Sequence, residues 1–259
     1  MIPLKDNIPT VNFAVVTVVL IALNIGMYFF FQHGGLTLGE PSNQDYRENV
    51  VEYGAIPYEI THPGDQCAQP GAGPEACGQE HRDLPSTWLT LFTAMFMHGG
   101  LFHLAGNMLF LWIFGNNIED SMGRLKFVAF YLIGGLIAVL GQTIINTDST
   151  TPTIGASGAV AAVLGGYALL YPRARVVTLV IIIIFITIIE LPALLVLGLW
   201  FLIQVAYGAS DLAQPVAGEG GGVAYFAHIG GFLFGLALIK LFADRARDDY
   251  DSHSRIPVY

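Results

Sequence analysis

The feature that most restricts this chain is a set of long apolar runs with almost no charge inside them. A helix needs about 17–25 apolar residues to cross a hydrocarbon core of roughly 30 Å. Runs of that kind fall at 11–32, 96–118, 126–146, 154–171, 190–208 and 223–243 of the 259 residues. Only 12% of residues are charged, about half the share that soluble domains carry. The expected fold is therefore an all-α polytopic membrane protein with six transmembrane helices. A long loop, 33–95, follows the first helix. The net charge of −9 and the lack of Lys/Arg clusters argue against a nucleic-acid partner.

Lys and Arg set the orientation. Lys5 precedes span 1, Arg124 and Lys126 join spans 2 and 3, and Arg173 and Arg175 follow span 4. Lys240, Arg245, Arg247 and Arg255 lie at or beyond the end of span 6. This predicts a cytoplasmic N-terminus at 1–10, a membrane domain at 11–243 and a cytoplasmic tail at 244–259. The loop 33–95 is then extracytoplasmic. One segment resists the count: Val176 to Gln204 is long for one span and short for two. The stretch 176–189 is read as an interfacial or re-entrant piece, with Glu190 and Pro192 marking the start of span 5.

The outer loop holds both cysteines, Cys67 and Cys77, ten residues apart. Outside a reducing compartment a disulfide is expected, with two free thiols as the alternative. Two cysteines alone lack the further ligands that a metal site needs, so no metal is expected.

Polar side chains are costly inside the hydrocarbon, and each is a functional-site candidate. Span 2 carries His98, His103 and Asn107; span 4 carries Ser157; span 6 carries His228. Counting back from each inner helix end at ~1.5 Å per residue puts Ser157 roughly 22 Å, and His103 and His228 roughly 24 Å, above the inner boundary. Asn107 lies about one turn deeper, and its side chain leans toward the helix N-terminus. Three helices thus bring these groups to one level.

A serine hydroxyl needs a base within hydrogen-bond reach and donors for the negative charge that develops. His228 is the base candidate for Ser157. No carboxylate is expected at that depth, which favours a Ser–His dyad. Ser157 is expected in the first turn of span 4, where backbone N–H groups are unpaired. Asn107 and His103 are the oxyanion candidates. Gly155 and Gly158 allow close backbone approach. Gly230, Gly231 and Gly235 let spans 4 and 6 close on each other. His98 is expected to be structural, near the interface. The pairs Phe232/Phe234 and Trp200/Phe201 are read as lipid-facing or packing residues. Water must reach the recessed serine, so a polar cavity open to the outer side is expected.

These residues resemble the rhomboid intramembrane serine proteases. The likeness rests on H-x4-H-x3-N (His98, His103, Asn107), G-x-S-G (Gly155 to Gly158) and A-H-x-x-G (Ala227, His228, Gly231). It also looks similar at Gly115-Asn-Asn-Ile-Glu119, before Gly123. The resemblance implies a six-helix core, Ser157 as nucleophile, His228 as general base, and an oxyanion site from Asn107, His103 and the Ser157 N–H. It implies an endopeptidase that cuts transmembrane segments of other proteins in the lipid bilayer and needs no cofactor. The alternative is a non-catalytic rhomboid-like protein that binds membrane clients. A bacterial plasma membrane is the expected location. Two positions depart from the family pattern. Trp88 is followed by Leu89 where many members have Arg. Ala161 stands where some bacterial members stack an aromatic ring on the histidine, so His228 must be oriented from another span.

Overall fold

The computed structural model describes residues 2–67, 73–78, 85–182, 185–213 and 223–244. Strand β1 (Ile2–Asp6) leads into α1 (Val15–Gly26), which a π-helical turn extends to Phe31. The long connection carries α2 (Gln44–Tyr53), α3 (Pro57–Thr61), two short strands, β2 (Gln66–Cys67) and β3 (Cys77–Gly78), and α4 (Thr87–Thr93). Helix α5 (Leu101–Phe110) passes through a π turn into α6 (Asn116–Met122). Then follow α7 (Arg124–Ile145), α8 (Ser157–Leu170), β4 (Arg175–Ile182), β5 (Phe185–Pro192), α9 (Ala193–Ala213) and α10 (Tyr225–Phe242).

The described chain is mostly helical. Helices α7, α9 and α10 are long and apolar enough to cross a membrane. A fourth candidate is the pair Thr87–Phe96 and Leu101–Met122, bent by 80°. Val15–Phe31 and Ser157–Leu170 are shorter apolar helices. The second expected run, 96–118, therefore begins at a sharp bend, with its helix starting at Leu101.

Helix α8 is the centre of the bundle. Every residue from Gly158 to Ala168 is buried, because α10 and α7 enclose it. Small residues make the crossing with α10 close. A Cβ on Gly231 would sit 2.1 Å from the Gly158 carbonyl oxygen, and one on Gly235 would sit 1.9 Å from that of Ala162. These two glycines act between spans 4 and 6 as expected. Gly230 does not: it faces Ala138 and Gly141 of α7. Gly158 allows close approach on both sides, since its carbonyl meets Gly231 and a Cβ on it would meet the Ala138 methyl at 2.4 Å.

The all-helical expectation fails at the end of the bundle that carries Gly123 and Arg175. There β1, β4 and β5 form an antiparallel sheet in the order β1-β4-β5, with Asp6 opposite Val176 and Val177 opposite Glu190. The stretch read as interfacial or re-entrant is thus a β-hairpin, and α9 begins at Ala193 just after it. Every residue from Val176 to Ile189 except Leu179 and Phe185 is β-branched. Such side chains are stiff at χ1 and favour a pleated strand over a helix. The N-terminal segment 1–10 is likewise no free tail, since Ile2–Asp6 is an edge strand.

Buried carboxyls fasten this end. Glu119 accepts from the backbone N–H groups of Val16 (3.0 Å) and Thr17 (2.8 Å) and from the Thr17 hydroxyl (2.8 Å). It thereby caps the unpaired first turn of α1. Asp6, 7% exposed, accepts from Asn117 Nδ2 (2.7 Å) and from the Tyr167 hydroxyl (2.5 Å). Burial raises its pKa to about 7, against the lowering effect of the Tyr167 bond. Lys126 pairs with Asp244. The tail beyond Asp244 lies outside the described residues.

At the opposite end the long connection packs over the segment before α8. Ala55 and Thr153 exchange backbone hydrogen bonds at 3.1 and 2.8 Å, and Tyr58 N–H donates to Ser149 C=O at 3.0 Å. Cys67 and Cys77 are joined by a disulfide. Beside it, buried Glu59 accepts from Cys67 N–H at 2.8 Å, and burial raises the Glu59 pKa.

Candidate active site

Ser157 is the first residue of α8, as the sequence suggests. The preceding Gly155 has φ +126°, in a region that side-chain-bearing residues rarely adopt. Its N–H donates to Ala94 C=O at 2.8 Å, which ties the helix start to the 3-10 turn after α4. A Cβ there would lie 2.7 Å from His103 Cε1 and 2.8 Å from His103 Nε2. Only glycine lets the His103 ring lie against the turn that carries Ser157.

Ser157 Oγ and His228 Nε2 are 2.7 Å apart, a full hydrogen bond between α8 and α10. The close crossing at Gly231 makes this reach possible. The start of α10 is held from α7, where Gln142 Oε1 accepts from the N–H groups of Phe226 (3.1 Å) and Ala227 (3.2 Å).

His228 is oriented from α9. Its Nδ1 is 2.8 Å from Gln204 Oε1, and its ring centroid is 5.6 Å from that of Trp200. The sequence requires an orienting residue on another span, because Ala161 leaves no ring on α8. Trp200, expected to be lipid-facing or packing, is one such residue, and Gln204, absent from the expected set, is the other. Gln204 is a buried amide in a Leu-rich helix, and its cost in lipid was the available signal. Phe201 does pack, stacked on Phe232 at 4.5 Å.

The remaining residues of the expected set fall on the loop-to-helix junction and on α5. His103 Nδ1 accepts from Gly99 N–H at 3.1 Å, which leaves Nε2 to carry the ring proton when the ring is neutral. Asn107 is buried, and its Nδ2 has no hydrogen-bond partner among the described residues. His98 is fully buried, and its ring lies edge-on to His103 at 5.2 Å. It is the His98 backbone that holds the connection: the carbonyl accepts from Gln32 Nε2 (2.8 Å) and the Tyr46 hydroxyl (3.2 Å), and the N–H donates to Gln32 Oε1 (2.9 Å). The cavity beside Ser157 has a volume of about 10 Å³ and is lined largely by alanine, glycine and other apolar residues. His103, Asn107 and His228 are not among the residues that line it. The described residues hold no cluster of three or more His, Cys, Asp or Glu suited to a metal.

The Ser157–His228 contact joins two apolar helices, with the histidine buried and the serine half-buried. Residues 85–245, more than half the chain, match the Rhomboid domain family, and the chain belongs to that family. It is 29% identical over 161 residues to rhomboid protein 1, mitochondrial, of Saccharomyces cerevisiae, covering 60% of this chain and 42% of the relative. It is 31% identical over 156 residues to the presenilin-associated rhomboid-like protein, mitochondrial, of Bos taurus, covering 56% and 36%. To rhomboid protease GluP of Bacillus subtilis it is 30% identical over 156 residues, covering 60% and 24%. The match spans less than half the length of each relative. The expected bacterial plasma membrane is overturned by these findings, because the yeast and bovine relatives are mitochondrial proteins.

Proposed function

We propose that this chain is an intramembrane serine endopeptidase acting on transmembrane segments of other membrane proteins. The observation that carries the reading is the 2.7 Å contact between Ser157 Oγ and His228 Nε2. In this reading six spans form the core: α1, α5 with α6, α7, α8, α9 and α10. The Lys/Arg-rich ends face one side, and the long loop faces the other. His228 takes the Ser157 proton as Oγ attacks the scissile carbonyl, then delivers it to the leaving amide nitrogen. Water, activated by the same imidazole, hydrolyses the resulting acyl-enzyme. Negative charge on the tetrahedral oxygen would be met by the Ser157 backbone N–H, the unpartnered Asn107 Nδ2 and the His103 Nε2–H. No cofactor enters this chemistry.

A helical substrate has its backbone groups already paired, so it must unwind locally to present a carbonyl. Segments with Gly, Pro or polar residues at the cut should therefore be preferred. A series of leucine replacements at those positions that left cleavage unchanged would refute this part.

The main test is a serine-directed fluorophosphonate probe on the purified protein, with cleavage of a helix-unstable transmembrane substrate in liposomes. Labelling and cleavage should both vanish in Ser157→Ala. Labelling that persists in that variant sinks the nucleophile assignment. Equal, negligible cleavage by wild type and His228→Ala would favour the client-binding alternative.

A further inference from the structure

We infer that Gln204 is a positioning residue: it fixes which nitrogen of His228 carries the proton, and so makes the ring a base toward Ser157. This rests on the dyad reading above and extends it to a third side chain, on a third helix.

The hydrogen bonds leave one assignment. Gln204 Nε2 lies 3.3 Å from the backbone carbonyl of Trp200, one turn earlier on α9. A carbonyl oxygen only accepts, so the amide nitrogen must be the end that faces it. The amide oxygen is therefore the end that faces His228 Nδ1, at 2.8 Å. That oxygen also only accepts, so Nδ1 must hold the ring proton. In the neutral imidazole Nε2 is then an unprotonated acceptor. It is also the atom 2.7 Å from Ser157 Oγ, so the serine hydroxyl is the donor. The opposite tautomer would set Nδ1 and Oε1 against each other as two acceptors and present an N–H to the serine.

Three further facts support a built arrangement. Gln204 is 8% exposed, whereas its helix neighbours Leu202 and Ile203 are 63% and 41% exposed. It is the one polar side chain among the buried residues of α9, which are Ala193, Val196, Leu197, Gln204 and Gly208. Trp200, one turn away, has its ring centroid 5.6 Å from that of the same imidazole, tilted by 36°. A neutral amide suits this depth, since a carboxylate in its place would carry a larger desolvation cost.

The test uses the whole chain in bicelles with four variants, one of them, His228→Ala, only to assign spectra. Gln204→Met keeps the volume and removes the acceptor. Gln204→Glu keeps an acceptor, and as a neutral acid it reproduces both bonds, with O–H to Trp200 C=O and C=O to Nδ1–H. Ser157→Ala is the control on the dyad. The first readout is the ¹⁵N shifts of His228, assigned by their loss in His228→Ala. The second is kcat and KM on the transmembrane substrate. Loss of a charged orienting group from a soluble triad costs about 10⁴-fold in kcat, and a neutral one should cost less, about 10–100-fold. Gln204→Met should lower kcat by that factor with KM nearly unchanged, and the His228 proton should no longer be confined to Nδ1. Gln204→Glu should restore both. If Gln204→Met keeps the Nδ1–H tautomer, the inference is overturned, whether kcat falls or not. If wild type and Ser157→Ala do not differ, the dyad reading fails on its own, while the ¹⁵N shifts still decide the tautomer.

Discussion

The two ends of α8 are both polar and are built to opposite purposes. Ser157 begins the helix, and Tyr167 lies ten residues on, about 15 Å along the axis. At the first end a hydroxyl, an imidazole and an amide form a chain across α8, α10 and α9. Donor and acceptor alternate in it without a formal charge. At the second end a carboxyl collects hydrogen bonds from α6 and α8 onto β1. The first arrangement is suited to passing a proton. The second locks an edge strand to the bundle through a group that titrates. Polarity inside the bundle alone therefore does not mark a reactive centre; what distinguishes the first end is an imidazole nitrogen facing a serine hydroxyl, near an Asn107 Nδ2 with no partner among the described residues.

The largest effect that separates the two ends should come from Ser157→Ala and His228→Ala. Each should lower turnover by at least about 10³-fold, because residues that act as one unit fail together. The double variant should be little worse than either single one. Asp6→Asn, at the other end, should leave turnover within about twofold, since distant sites act independently. A loss from Asp6→Asn as large as that from Ser157→Ala would abolish the distinction between the ends.

Next in size is the crossing that joins them. A Cβ on Gly235 would lie 1.9 Å from Ala162 O, which is backbone and cannot turn aside. Gly235→Val should force α8 and α10 apart, at a cost above the roughly 1–3 kcal/mol of ordinary overpacking. Turnover and thermal stability should then fall together. Gly198→Ala on α9, where a Cβ meets nothing within 4 Å, is the matched control and should change neither. A Gly235→Val protein with normal activity would show that the close crossing does not set the Ser157–His228 distance.

The sequence was legible at the first end and nearly opaque at the second, for physical reasons. Polar residues in apolar helices stand out against their surroundings, so His98, His103, Asn107, Ser157 and His228 could be found by cost alone. Helix rise could then place three of them at one depth. Gln204 obeys the same rule but is harder to see, because it is not ionisable and sits in no recognisable motif. The hairpin was hidden by a different limit. Hydropathy reports where a segment can be buried, not whether it is helix or strand, and 176–189 is uniformly apolar. Its signal was the run of β-branched residues. The Asp6 cluster gave no local sign: a single carboxylate beside Lys5 near the start of the sequence reads as solvated, and its partners, Asn117 and Tyr167, are over a hundred residues away.

The smallest effect on turnover is also the most specific to the second end. Asp6 has a folded pKa near 7, raised by burial from an ordinary value of 3.8. Below about pH 4 the carboxyl is neutral in both the folded and the unfolded chain, and its contribution to stability is complete. As pH rises the unfolded chain ionises first and binds fewer protons than the folded one, so stability falls until the folded group also ionises near pH 7. A tenfold difference in proton affinity between the two states is worth about 1.4 kcal/mol, which bounds the loss at about 4 kcal/mol between pH 4 and 8. The Tyr167 and Asn117 bonds reduce the penalty but do not change its sign. Asn at this position presents an acceptor to Tyr167 and does not titrate, so Asp6→Asn should flatten the decline and be the more stable protein above pH 7. Hydrogen exchange of the β1 and β4 amides at pH 5 and pH 8 is the sharpest measurement, because it reads the strand that Asp6 anchors. Wild type should lose protection there at pH 8 while the amides of α8 near Ser157 keep theirs. If both ends lose protection together, the sheet and the Ser157 end belong to one cooperative unit; if β1 and β4 open alone, the carboxyl end can loosen without disturbing the end that carries Ser157.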